Sequence, residues 1–186
     1  MSKRECGSCS LCCKVLDVPA VYKPAGQWCK HFAAGTGCEI HQLRPKACRE
    51  FACLWLKGYG LGDEWKPETA KFVMAEAYDG DVIMVHVDPK QKNAWRAEPY
   101  YTALKQLAEK VMGDNQLIMI VEPTRRFVLT PDNEIEIGDP SAVISWEVTA
   151  QMTPAGPRFH VEIEFVDAKK TGGATRFQDA ADGVAP

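Results

Sequence analysis

CGSCSLCC, residues 6–13, places four cysteines in eight positions, and four more follow at 29, 38, 48 and 53. From residue 54 onward there are none. Thiol chemistry is therefore confined to one end of the chain, and the fold must be read as a thiol-rich segment joined to something else. A helix turns by about 100° per residue, so a helix over 6–13 would put Cys6, Cys9, Cys12 and Cys13 on one face. A turn at Gly7-Ser8 would converge the C-x-x-C steps equally well. The adjacent Cys12 and Cys13 diverge by about 100° in a helix and by more in a strand. They are expected to serve different ions, or one thiolate is expected to bridge two.

The chain has 186 residues, of which 46% are hydrophobic, enough for one domain with a real core or one domain and a smaller appendage. The N-terminal MSKRECGS carries charge but leads into no apolar stretch, and the apolar runs at 51–56 and 117–121 are too short to span a bilayer. A cytoplasmic protein without a membrane segment is expected. In that reducing compartment a dense cysteine cluster means metal or redox chemistry rather than disulfides.

Charge divides where the cysteines do. Residues 1–60 hold nine Lys/Arg against four Asp/Glu, or +5, and the remainder holds 13 against 21, or −8, giving the net −3 of the chain. A basic segment could meet nucleic acid. Eight thiolates with two divalent ions would, however, contribute a net −4, leaving a local balance near +1. The lysines and arginines then read as compensation for sulfur, and a nucleic-acid surface loses its electrostatic basis.

Eight thiolates suffice for two closed tetrahedra, the usual structural zinc arrangement. The candidate ligands are Cys6, Cys9, Cys12, Cys13, Cys29, Cys38, Cys48 and Cys53. Gly37 allows a tight turn before Cys38, and Pro45 favours a helix start, with Cys48, Phe51 and Trp55 following at helical spacing. Trp28, Phe32, Ile40, Phe51, Leu54 and Trp55 are expected to wrap the sulfurs in an apolar shell. His31 and His41 stand nearby and could contribute imidazole, but eight sulfurs already fill two sites. Arg44 and Arg49 read as partners of backbone carbonyls or neighbours of the sulfurs.

This ordered set, Cys6-x-x-Cys9-x-x-Cys12-Cys13, then Cys29, Cys38, Arg44-Pro45, Cys48-Arg49, Phe51 and Cys53, resembles the YkgJ-type cysteine-cluster family, whose domain is described as chelating zinc or iron. The resemblance covers residues 6–56. It implies that the eight cysteines are metal ligands and implies no reaction. A similar cluster occurs in flagellin lysine methylases, so an iron–sulfur redox protein or an enzyme related to such methylases is the alternative function.

Spacing bears on the metal. The bacterial ferredoxin run C-x2-C-x2-C-x3-C-P fits Cys6, Cys9 and Cys12 and fails at Leu16 and Asp17. The plant-type C-x4-C-x2-C fits Cys48 and Cys53 and fails at Leu56. Zinc is the preferred cofactor, iron or an iron–sulfur cluster the alternative, with copper(I) a third soft-ligand option.

LKGYGLGDEWKP, residues 56–67, reads as a linker. Beyond it, 71–78 and 82–87 are strand-like with a turn at Asp79-Gly80. Pro99 opens a helix whose Leu104, Leu107, Ala108 and Val111 share a face, and Gly113 ends it near Met112. Strands are expected at 116–121, 125–130, 143–149 and 158–166; in the last, Phe159, Val161, Ile163 and Phe165 alternate with His160, Glu162 and Glu164. The loop 88–96 is preferred as solvated with one anchoring residue, Trp95, over a partner contact through Trp95 and Arg96. His86 and His160 read as ordinary surface or core residues. The expected architecture is α+β: a small cysteine-rich metal-binding unit, 1–60, packed on a mainly antiparallel sheet with one long helix, 61–167, and a disordered tail, 168–186. The expected function is metal binding, structural or metal-handling, with metal ions as the partners. No nucleotide fingerprint or nucleophile elbow is present.

Overall fold

The computed structural model describes residues 4–122, 124–138, 143–154, 156–166 and 174–178. The thiol-rich end folds into short pieces: a helical turn α1 (Cys12–Val15), a small hairpin of β1 (Phe32–Ala33) and β2 (Gly37–Cys38), then helices α2 (Lys46–Glu50), α3 (Leu54–Lys57) and α4 (Pro67–Ala70). None is long enough to persist alone, so packing must hold them. Pro45 precedes α2 and Pro67 opens α4, where a missing N–H costs nothing. Gly58, at φ +79°, ends α3 by donating its N–H to the Trp55 carbonyl.

The main sheet has the order β3-β4-β5-β6-β7. β3 (Phe72–Ala77) and β4 (Val82–Val87) form the expected hairpin around Tyr78–Gly80. From β4 the chain crosses through α5 (Tyr100–Met112) to β5 (Leu117–Val121), which pairs parallel to β4. Such pairing needs a long crossover, and the thirteen-residue α5 supplies it. β6 (Arg126–Leu129) and β7 (Glu134–Glu136) complete the sheet antiparallel. With the other pairs antiparallel, the fold is α+β, mainly antiparallel, with α5 as its long helix.

Side chains alternate between the two faces of this sheet. Phe72, Met74, Val85, Ile118, Ile120 and Phe127 point to α5 and pack on Leu104, Ala108 and Val111. On the opposite face, Val82, Leu117, Met119 and Val128 pack against Phe159, Val161 and Ile163 of a second antiparallel sheet. That sheet comprises β8 (Val143–Thr153), β9 (Gly156–Val166) and β10 (Ala174–Gln178) in the order β10-β9-β8. β10 falls within 168–186, expected to be a disordered tail; the rest of that segment lies outside the described residues.

The thiol-rich segment covers another part of this second face. Leu11, Val15, Cys53 and Trp55 cluster with Val73 of β3. The stretch 56–67 does not behave as a linker, because its Leu61 and Trp65 pack on the core and the Tyr100 hydroxyl donates to the Glu64 carbonyl at 2.8 Å. Glycines and charges around those two apolar residues conceal that anchorage in the sequence. Trp95 is fully buried and its indole N–H donates to Glu122 at 3.1 Å, so it anchors the 88–96 loop. No helix among the described residues is long and apolar enough to cross a membrane.

Candidate metal centre

The first two cysteines sit on a turn. Gly7 adopts φ +54°, a region that favours glycine, and the Cys9 N–H donates to the Cys6 carbonyl at 2.9 Å. Helix α1 then presents Cys12 and Cys13, with the Cys13 N–H bonded to the Ser10 carbonyl. Turn and helix are thus used in succession. The two adjacent thiols remain within hydrogen-bond reach of each other, although ideal helical side chains would diverge. Their interaction raises the Cys12 thiol and lowers that of Cys13 to about 6.

The distant cysteines come back to this pair by different routes. The Cys29 N–H donates to the Cys13 carbonyl at 3.0 Å, and the Phe32 N–H to the Cys29 carbonyl at 3.0 Å. Phe32 is in turn the partner of Cys38 across the β1–β2 hairpin. Cys53 enters from the start of α3 and is buried in the apolar cluster that Cys12 borders. The Cys48 thiol is raised by burial, and Cys13, Cys29 and Cys38 reinforce that rise. Burial also raises Cys6, with Cys53 adding and Arg44 and Lys66 opposing. Burial raises Cys9 as well. All eight cysteines are free thiols.

Two cationic features were not legible in the sequence. Lys23 is only 3% exposed, and its ammonium donates to the carbonyls of Lys14 and Leu16. Burial lowers its pKa, while Cys13, Cys29, Asp17 and Cys12 pull the other way. Lys14 is buried in an ion pair with Asp88. A lysine reads as solvated, and nothing local in either stretch signals burial. Arg44 fulfils both expected roles, donating to the His41 carbonyl at 2.9 Å and lowering Cys13.

The expected apolar shell forms in part. Trp28 and Phe32 stack with centroids 4.0 Å apart, and Phe51 and Trp55 pack with Cys53. Leu54 instead turns into the sheet–helix core, because one helical step from Cys53 places it on the other side of α3. The Trp55 indole N–H is buried without a hydrogen-bond partner among the described residues.

As the side chains stand, no group of three or more His, Cys, Asp or Glu among the described residues is gathered to hold a metal ion. His31 and His41 join no such group. The donor chemistry nevertheless fits a soft or borderline metal: eight free sulfurs, buried cations beside them, and an orphaned indole donor in the cluster with Cys53 and Cys12. Comparison with known proteins gives no match to a family model, a curated protein or a solved structure.

Proposed function

We propose that this chain is a metal-binding protein whose residues 1–60 form a cysteine-cluster unit of the YkgJ type, with zinc as the ion. The observation that carries this reading is the approach of Cys29, Cys48 and Cys53 to the Cys12–Cys13 turn, beside a buried Lys23 that faces Cys13, Cys29 and Cys12 together with Asp17. A buried ammonium is costly unless negative charge faces it. Thiolates bound to a divalent ion leave a net negative site that Lys23 and Arg44 would offset. The orphaned Trp55 N–H would likewise find an acceptor in a sulfur that carries charge.

Cys6, Cys9, Cys12, Cys13, Cys29, Cys38, Cys48 and Cys53 would hold the metal. When bound, zinc in all-thiolate shells supplies cross-links between segments and leaves no open position for substrate, so the role is structural or metal-handling. Metal analysis of anaerobically purified protein, with an optical spectrum, tests this. The expected result is colourless protein with about two zinc ions per chain. Brown protein with equimolar acid-labile sulfide would transfer the site to iron–sulfur chemistry and favour the redox alternative.

A further inference from the structure

A cleft of about 430 Å³ opens where the thiol-rich segment meets the main sheet. Its floor follows from strand register. His86 pairs with Val121 across the parallel β4–β5 ladder, and Val121 pairs with Arg126 across β5–β6. Paired residues point to the same side, so His86, Val121 and Arg126 form one row on the face that also carries Val82, Met119 and Val128. Elsewhere that face is apolar and covered: by Leu11 and Val15 over Val73, and by Phe159, Val161 and Ile163 over Met119 and Val128. The row lies where these two covers stop, at the carboxyl ends of the parallel strands, a common position for ligand sites in sheets with parallel strands.

The walls are mixed. Val15 and Ala25 come from the thiol-rich segment, and Gly26, at φ +78°, lets that loop close on Pro89, whose Cγ would stand 3.2 Å from a Cβ at this position. Charge inside the cleft is unbalanced. The carboxylate of Glu122 is already occupied by the Trp95 N–H, Arg96 and Arg125. The guanidinium of Arg126 has no hydrogen-bond or ion-pair partner among the described residues. A half-buried, unpartnered guanidinium in a cavity of mixed lining, with the apolar side chains of Val15, Ala25, Pro89 and Val121 around it, suits a carboxylate or phosphate, which it can engage with paired donors.

We propose that this cleft binds a small organic oxyanion, a carboxylate or phosphate ester with a short apolar body, seated on Arg126 between Val15 and Val121. The proposal does not rest on the metal reading. The test is a titration of the full-length protein as purified with phenylacetate and, separately, phenyl phosphate, followed by amide NMR shifts. Saturable shifts at His86, Val121 and Arg126 are expected with at least one probe, and the stronger one identifies the head group. Arg126→Gln should weaken that binding at least ten-fold, and Ala25→Trp should block it from the loop side while leaving the remaining spectrum in place. Failure of both probes to give saturable shifts at these amides would overturn the proposal. So would binding undiminished by Ala25→Trp and by Arg126→Gln.

Discussion

Lys14, the residue after Cys13, is buried against Asp88, the residue after β4, so the turn that carries four cysteines is pinned to the main sheet by an ion pair. Asp88 also accepts the Lys90 N–H at 2.8 Å, which fixes the carboxylate. Removing one partner of such a pair leaves a charge without compensation in a poorly solvated place. Asp88→Asn should destabilise the protein by about 3 kcal/mol, measured by urea unfolding at pH 7. Lys14→Met combined with Asp88→Leu should recover much of that loss. A single variant within about 0.5 kcal/mol of the parent would show that the pair is solvated.

His86 gives a pH dependence with a definite sign. Burial, aided by Arg126 and Lys23, lowers its pKa from 6.5 to about 4. The unfolded chain therefore binds a proton that the folded chain refuses. Stability from this group is complete above about pH 6.5, falls as the pH drops through that value, and is lost by about pH 4. The loss amounts to about 2–3 kcal/mol over that window. Unfolding free energies of the parent and His86→Gln at pH 7 and pH 4.5 measure it, and equal pH slopes would refute it. The comparison isolates His86 from Glu68, Glu76 and Glu134, whose lowered carboxyl pKa values also withdraw stability on acidification.

Lys23 tests whether the thiol cluster is built for charge. Lys23→Met should weaken zinc binding by about 10–100-fold, the usual scale for groups that support ligands without touching the metal. Competition with a chromophoric chelator reads this directly. Unchanged affinity would assign Lys23 to loop structure alone, through its bonds to the Lys14 and Leu16 carbonyls.

Metal removal should act unevenly along the chain. Strong chelation, or Cys9→Ser combined with Cys13→Ser, should expose the amides of residues 4–50 to exchange, since the pieces there are too short to hold themselves. Leu54 belongs to the core under α5, so protection should return at α3 and continue through β3–β6. Segment-resolved hydrogen exchange locates that boundary. Full protection of residues 4–50 without metal would make the cysteines a cargo or redox site on a preformed scaffold.

Local pattern alone determined much of this protein. The strand at 82–87, the helix between Pro99 and Gly113, and the alternation of Phe159, Val161 and Ile163 each follow from a period, a cap or a turn contained in a few residues. The density and order of the eight cysteines are likewise properties of the chain as written, and so is the excess of basic residues around them. Tertiary structure decided what depends on distant partners. Whether β5 runs parallel to β4 is set by how α5 crosses the sheet. Lys14 and Asp88 are 74 positions apart, and neither carries a local sign of the other. Leu54 and Trp55 are neighbours in sequence that enter different clusters, because α3 lies at the boundary between the two faces of the sheet. The row of His86, Val121 and Arg126 exists only through strand register, which side-chain period constrains to a face but which only pairing can align.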